Sequence, residues 1–255
     1  MIKNIINQGQ GSHWYYPDGR ECFEVPSADG KKMVKTTIVH ARKLGLYPSV
    51  TTVLKILDKP EIDTWRVERA IKASLASVRR PGERIKQFIA RILEVAQSKS
   101  KRAMNFGGDL HSYIEGLITG NTFDSILIPQ ATKDAIKDYF TKNIQSATAE
   151  QLAINHELKY AGRKDMDALI GGGTYLYDFK TQGTKPGKSV NFYKEFIIQL
   201  GGYSLCGNYM GIRCMIISST EPGRVEVKDY TAEEIAFGQK AFKHLNALFR
   251  LIKEL

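Results

Sequence analysis

Near residue 149 the hydrophobic pattern of the chain changes period, from helical spacing to that of strands. Three stretches, 149–156, 161–170 and 174–181, read as β-strands. Gly171-Gly172-Gly173 is the tight connection between the last two. A hairpin of this kind fixes what lies side by side. Alternation puts Asp178 and Lys180 on one face of their strand. Asp165, on the neighbouring strand, can meet them at the strand ends. Two carboxylates held together repel and tend to share a cation. Oxygen ligands suit Mg²⁺ or Mn²⁺. A lysine beside them can offset developing charge or hold an attacking water, and such a combination suits phosphodiester hydrolysis. A D-x-K triplet by itself is far more often a solvated strand face. Asp167 shares the face of Asp165 and competes with it for the assignment.

The rest of the chain frames this hairpin. Residues 12–47 read as a β-ribbon, with turns at Pro17-Asp18-Gly19 and Ala28-Asp29-Gly30 and strands over 22–25 and 33–41. Ser49 is the expected N-cap of a helix that starts near Val50. A second helix is expected over 60–78, broken by Arg79-Arg80-Pro81-Gly82. Helical periodicity resumes with Ile85, Phe88, Ile89, Ile92, Leu93 and Ala96. Asn105-Phe106-Gly107-Gly108 reads as a loop before a helix striped by Leu110, Ile114, Leu117 and Ile118. Another helix fits 130–143. After the hairpin come a polar loop over 182–189, a helix over 192–208, strands over 213–219 and 224–229, and a last helix. Thr231 and Glu234 form the capping box of that last helix. The order predicts an α/β (α+β) fold, a mixed central sheet flanked by helices, with a helical region and a β-ribbon ahead of it. The expected divisions are a ribbon extension over 1–47, a helical region over 48–146 and a core over 147–255.

Several short motifs occur in a fixed order: Pro48-Ser49-Val50-Thr51, Gly108-Asp109-Leu110-His111, Glu150, Tyr160-Ala161-Gly162-Arg163-Lys164-Asp165, Tyr177-Asp178-Phe179-Lys180 and Gln199-Leu200-Gly201-Gly202-Tyr203. Over residues 46–219 the chain resembles the RecB-type exonuclease branch of the PD-(D/E)XK nucleases. Within that branch it is most similar to the mitochondrial genome maintenance exonucleases and their phage and bacterial relatives. The resemblance implies a metal-dependent DNA exonuclease that leaves 5′-phosphates. It implies His111, Asp165, Asp178 and the Phe179 carbonyl as metal ligands. It implies that Lys180 orients or deprotonates the nucleophilic water, and that Glu150 is an upstream acid acting through a water or a second metal. Glu157 is the nearby alternative to Glu150. Gln199 and Tyr203, four apart on one helix face, would sit beside the centre and help position lysine or phosphate. Taken singly, His111 reads as a packed or surface residue and Gln199 as an exposed one.

Charge and composition narrow the setting. The chain has 37 Lys and Arg against 27 Asp and Glu, a formal net charge of +10, which favours polyanionic partners. Eleven basic and three acidic residues fall between Arg66 and Arg102, so a local excess of eight sits in one helical segment. The resemblance implies that this segment guides single-stranded DNA through Arg66, Arg69, Lys72, Arg79, Arg80, Arg84, Lys101 and Arg102, with Lys185 and Lys188 on the polar loop. A solvated helix face is the plainer alternative. Trp65, Phe88 and Phe106 are candidates for base stacking or for core, and His13-Trp14-Tyr15-Tyr16 for a contact surface or for core.

Three cysteines without paired spacing predict free thiols and no iron–sulfur cluster of the kind several relatives hold. The lack of a G-x-x-x-x-G-K-[ST] motif predicts no ATP requirement. Residues Met1-Ile2-Lys3-Asn4-Ile5 do not open a signal peptide, and no apolar run is membrane-length, so the expectation is a cytoplasmic protein with no membrane partner. A helicase, polymerase or annealing protein would be its companion. Two rival readings stay open: an endonuclease for branched or duplex DNA on the same fold, and a non-catalytic DNA-binding accessory protein.

Overall fold

The computed structural model describes residues 12–57, 60–121 and 123–255. The expectations for residues 1–11, the leader reading of Met1–Ile5 and the start of the ribbon, lie outside the described residues.

Strands β1 (Trp14–Tyr15), β2 (Glu24–Pro26) and β3 (Met33–Lys35) open the fold. Helix α1 (Ile38–Leu44) follows, then β4 (Tyr47–Pro48) and the short α2 (Val50–Val53). The expected long strand over 33–41 is therefore strand only over its first third. Thr37 accepts a hydrogen bond from the His40 N–H, and Gly45 closes the turn at φ 64°, so capping at both ends outweighs the strand preference of Ile38 and Val39. Ser49 caps α2 as expected, with its side chain accepting from the Thr52 N–H.

Next come α3 (Pro60–Leu75) and α4 (Ile85–Thr119). These two pack together around Ala73, Ile92 and Ala96. Helix α4 runs unbroken through Asn105–Gly108, where a loop was expected. A helical glycine costs about 1 kcal/mol relative to alanine. Burial of Phe106, Leu110, Tyr113 and Ile114 against the sheet offsets that cost for Gly107 and Gly108. Helix α5 (Gln130–Asn143) completes this layer.

Five strands make the central sheet: β5 (Ser146–Asn155), β6 (Tyr160–Ile170), β7 (Gly173–Gln182), β8 (Gly211–Ser218) and β9 (Val225–Asp229), in that order. Pairing is antiparallel except between β7 and β8, which are parallel. The parallel pair requires a crossover, and α6 (Lys194–Ser204) supplies it. Helix α7 (Ala232–Lys253) closes the described chain with the expected Thr231–Glu234 capping box. Gly171 and Gly172 have φ of 57° and 84°, the pair of positive values that a type I′ turn between β6 and β7 needs.

Alternation along β7 and β8 splits the core in two. Leu176, Ile212, Cys214 and Ile216 face α6 and α7, joined by Trp14, Val25, Ala41, Val50 and Val53. Tyr177, Phe179, Met215 and Ile217 face α4 and α5. The architecture is the expected mixed sheet flanked by helices. Cys22, Cys206 and Cys214 are free, with Cys22 and Cys214 buried. No helix among the described residues is long and apolar enough to cross a membrane.

Candidate metal centre

Pairing of β6 with β7 runs from the turn only as far as Met166 opposite Tyr177. Beyond that point the strands part, while β7 stays paired with β8 to Ser218. The Phe179 N–H, which a ladder carbonyl would otherwise take, donates to Asp165 Oδ2 at 2.8 Å. The gap between the strands is where the polar residues gather.

Asp178 and Lys180 share a face, as alternation requires, and Lys180 Nζ contacts Asp178 Oδ2. The Asp178 side chain is almost fully buried. Its other oxygen accepts from Gln199 Nε2 at 2.9 Å. Tyr203, one turn further along α6, is buried over Gly162, where a Cβ would sit 3.0 Å from its ring. Burial first, then the charges of Asp165 and Asp178, push the Tyr203 hydroxyl well above its ordinary value, so it stays neutral.

From the other side, α4 brings His111 so that Nδ1 lies 3.7 Å from Asp165 Oδ1, with the ring edge-on to Phe179. At 3.7 Å this is not a hydrogen bond. Glu150 reaches the same spot from β5. His111, Glu150 and Asp165 each offer a ligand atom, and the three atoms lie within 4.8 Å of one another. Ligands about 2.0–2.2 Å from one ion stand at most about 4.4 Å apart, so a small contraction closes the set around a cation. One imidazole nitrogen and two carboxylates, all half-buried, can hold a metal ion.

The electrostatics point the same way. Burial raises the pKa of Glu150, and the neighbouring Asp165 raises it further, against His111. Burial pushes Asp178 up to about 6, with Lys180 opposing and Asp165 adding to the rise. Burial works against the charge on Lys180, but Asp178 and Asp165 outweigh it and hold its pKa above the ordinary value. Carboxylates that repel one another in a half-buried notch are relieved by a cation.

The fold thus brings His111, Glu150, Asp165, Asp178, Lys180, Gln199 and Tyr203 to one place. The expected ligand set was His111, Asp165, Asp178 and the Phe179 carbonyl. The side-chain ligand atoms that converge belong to His111, Glu150 and Asp165, while the Asp178 carboxylate faces Lys180 and Gln199. Asp167, the competitor of Asp165, is tied to Lys164 Nζ, which also donates to the Tyr209 hydroxyl at 2.7 Å. Sequence reasoning did not single out Arg163. It donates from Nη1 to the Glu150 carbonyl at 3.2 Å and from Nε to Glu21 at 2.7 Å. It lies within the Tyr160–Asp165 motif, but nothing in the sequence gives it a role, because its partner is a backbone carbonyl in an unusual conformation.

None of the expected DNA-binding basic residues is among the groups that meet in this notch. Arg66, Lys72, Arg79, Arg80, Arg84, Lys101 and Arg102 are exposed on the α3–α4 hairpin and its connection. Arg66 pairs with Asp63 and Lys72 with Glu68, while Arg69 is half-buried over Trp65 and donates to the Ala96 carbonyl. Lys185 and Lys188 are exposed on the loop after β7, where Arg224 holds their backbone carbonyls. Of the stacking candidates, Trp65 is exposed and Phe88 half-buried, whereas Phe106 is core against the sheet. Of the aromatic cluster, Trp14 and Tyr15 are buried in packing, Tyr16 is half-buried and His13 is exposed.

No family model matches the chain, and no curated protein does. Among solved structures the chain is similar to SSO0001, with 15% identity over 73% of this chain and 87% of that one, at a TM-score of 0.33. It is also similar to a candidate exonuclease of Eubacterium rectale, with 13% identity over 60% of this chain and 68% of that one, at a TM-score of 0.42. A third likeness, to VC1899 of Vibrio cholerae, has 12% identity over 89% of this chain and 65% of that one, at 0.26. At scores this low the likenesses say nothing about the chemistry of this chain.

Proposed function

We propose that the chain is a metal-dependent nuclease of the PD-(D/E)XK type, a DNA exonuclease that works on single strands with free ends and leaves 5′-phosphates. The observation that carries this reading is the meeting of His111, Glu150 and Asp165 beside the buried Asp178–Lys180 pair, where β6 and β7 part. A bound Mg²⁺ or Mn²⁺ there supplies the charge that polarises a phosphodiester and acidifies water.

The protein residues do the rest. His111, Glu150 and Asp165 hold the ion. Gln199 and Lys180 fix Asp178 in one orientation next to them. Lys180 keeps its proton between two carboxylates, so it acts as a donor: it orients the attacking water and offsets charge gathering on the phosphate. Phe196 lies under the Lys180 ammonium at 5.5 Å and limits where it can swing. The exposed arginines and lysines of the α3–α4 hairpin give the strand a phosphate track that ignores sequence.

Digestion of linear and circular single-stranded DNA with Mn²⁺ tests the reading. End-labelled linear strands should shorten, closed circles should persist, and EDTA should stop the reaction. Rapid cutting of circles would make the protein an endonuclease. Binding of DNA with no cleavage of any substrate would make it an accessory protein.

A further inference from the structure

Glu150 is a non-glycine residue at φ 51°, in the left-handed region, in the middle of β5. Its neighbours keep the ladder: Ala149 pairs with Met166 and Gln151 with Lys164, which leaves Glu150 opposite Asp165 without ladder bonds. Such a conformation costs about 1–3 kcal/mol and persists only where the surroundings hold it. It also turns the Glu150 side chain out of the regular alternation, and its carboxylate ends beside His111 and Asp165.

A side chain from the neighbouring strand grips the twisted backbone. Arg163 Nη1 donates to the Glu150 carbonyl at 3.2 Å. Arg163 is itself held by Glu21, through Nε at 2.7 Å. The ribbon fixes Glu21 in turn: it bridges to Tyr15, and the next residue, Cys22, donates its N–H to the Trp14 carbonyl at 2.8 Å. Tyr15 is buried, so this anchor is firm.

We propose that Arg163 is a positioning residue for the metal centre, holding Glu150 in its left-handed turn, and that Glu21 from the N-terminal ribbon keeps the Arg163 guanidinium aimed at the Glu150 carbonyl. The inference rests on the metal-centre reading above. It gives Arg163 and Glu21, to which the sequence assigned no role, a share in building the site. Both side chains of the pair are partly exposed, at 49% for Arg163 and 39% for Glu21, so their ion pair alone adds little stability. What matters is the direction in which the guanidinium is held.

The test is Mn²⁺ affinity of the full-length protein, measured calorimetrically without DNA, alongside the thermal midpoint of each variant. R163M keeps the aliphatic stem and loses both donors. It should weaken Mn²⁺ binding about tenfold, the low end of what partners of metal ligands carry. E21A should weaken it severalfold, whereas E21Q, whose amide oxygen still accepts from Arg163, should bind nearly as the wild type does. The swap E21R/R163E restores an ion pair but puts no donor at the Glu150 carbonyl. It should regain the thermal midpoint and still bind Mn²⁺ weakly. Wild-type affinity in R163M overturns the proposal, and so does a swap that recovers affinity together with stability, because the pair is then structural only. Absence of Mn²⁺ binding by the wild-type protein overturns the metal-centre reading and this inference with it. Normal wild-type binding beside an unaffected R163M overturns this inference alone.

Discussion

Replacement of Lys180 by methionine removes the cation that faces Asp178 and leaves a stem of similar length. Asp178 is 1% exposed, so at pH 8 the variant holds a buried carboxylate with Gln199 donating to it and no cation against it. Breaking a buried pair in this way costs about 3–5 kcal/mol. Lys180 is itself 23% exposed and the Gln199 hydrogen bond survives, which places the expected loss near the lower end, about 3 kcal/mol. The loss should depend on pH. Asp178 already has a folded-state pKa of about 6, above its unfolded value, and loss of Lys180 raises it further. Where the folded state binds more protons than the unfolded state, stability falls as pH rises. The penalty should therefore be small near pH 4, where the folded state keeps Asp178 protonated, and should grow through pH 6 and above. By pH 5 a neutral Asp178 leaves a cost of about 1 kcal/mol, that of an imperfectly satisfied polar group. Urea unfolding in EDTA at pH 5 and pH 8 measures this for the wild type, K180M and K180M/D178N. The double variant, with a neutral amide at 178, should recover most of the loss at pH 8. Equal penalties for K180M at the two pH values would refute the reasoning, because Asp178 could not then be the group left uncompensated.

Three further outcomes follow from the same geometry. H111A should bind Mn²⁺ at least tenfold more weakly, as calorimetry can read, while its thermal midpoint in EDTA stays near that of the wild type. G201A should be strongly destabilised in thermal melts, by about 3 kcal/mol or more, because its Cβ would sit 2.3 Å from the Gly238 backbone where α6 crosses α7. Replacing Arg79, Arg80 and Arg84 together by alanine should weaken binding to single strands of any sequence. It should also lower the salt slope of that binding by about 2, at roughly 0.7 for each phosphate that is no longer neutralised.

What could be read from the sequence follows the range of the forces involved. The β6–β7 hairpin was legible because alternation and two adjacent glycines are local signals. The α7 cap was legible because Thr231 and Glu234 bond to each other's backbone three residues apart. That Asp178 and Lys180 share a face followed from strand periodicity, whereas periodicity left Asp165 and Asp167 open as their neighbour across the hairpin. The continuity of α4 was not legible, since Asn105, Gly107 and Gly108 are poor helix formers and only the sheet under Phe106 and Leu110 overrules them. Residues 38–41 misled for the opposite reason: Ile38 and Val39 favour strand, but Thr37 and Gly45 cap a helix around them. Glu150 shows the limit most plainly. Its residue type announces a ligand, but the left-handed backbone that delivers it depends on Arg163 and Glu21, the latter from a distant part of the chain.

The charges in the notch favour the binding of a cation by these residues. Glu150, Asp165 and Asp178 bring three carboxylates into one half-buried volume, and Lys180 returns one positive charge. With His111 neutral and all three acids ionised, the balance is 1 − 3 = −2. Burial is the main reason that the pKa values of Glu150 and Asp178 are raised, and the charge of Asp165 adds to it in both. A monovalent ion would leave half of the net charge in place, whereas a divalent ion at the His111–Glu150–Asp165 ligand atoms cancels it. The ion would therefore do two things at once. It would lower the pKa of every acid around it, fixing them as ligands, and it would release Lys180 from compensating them, so that its ammonium can meet an incoming phosphate.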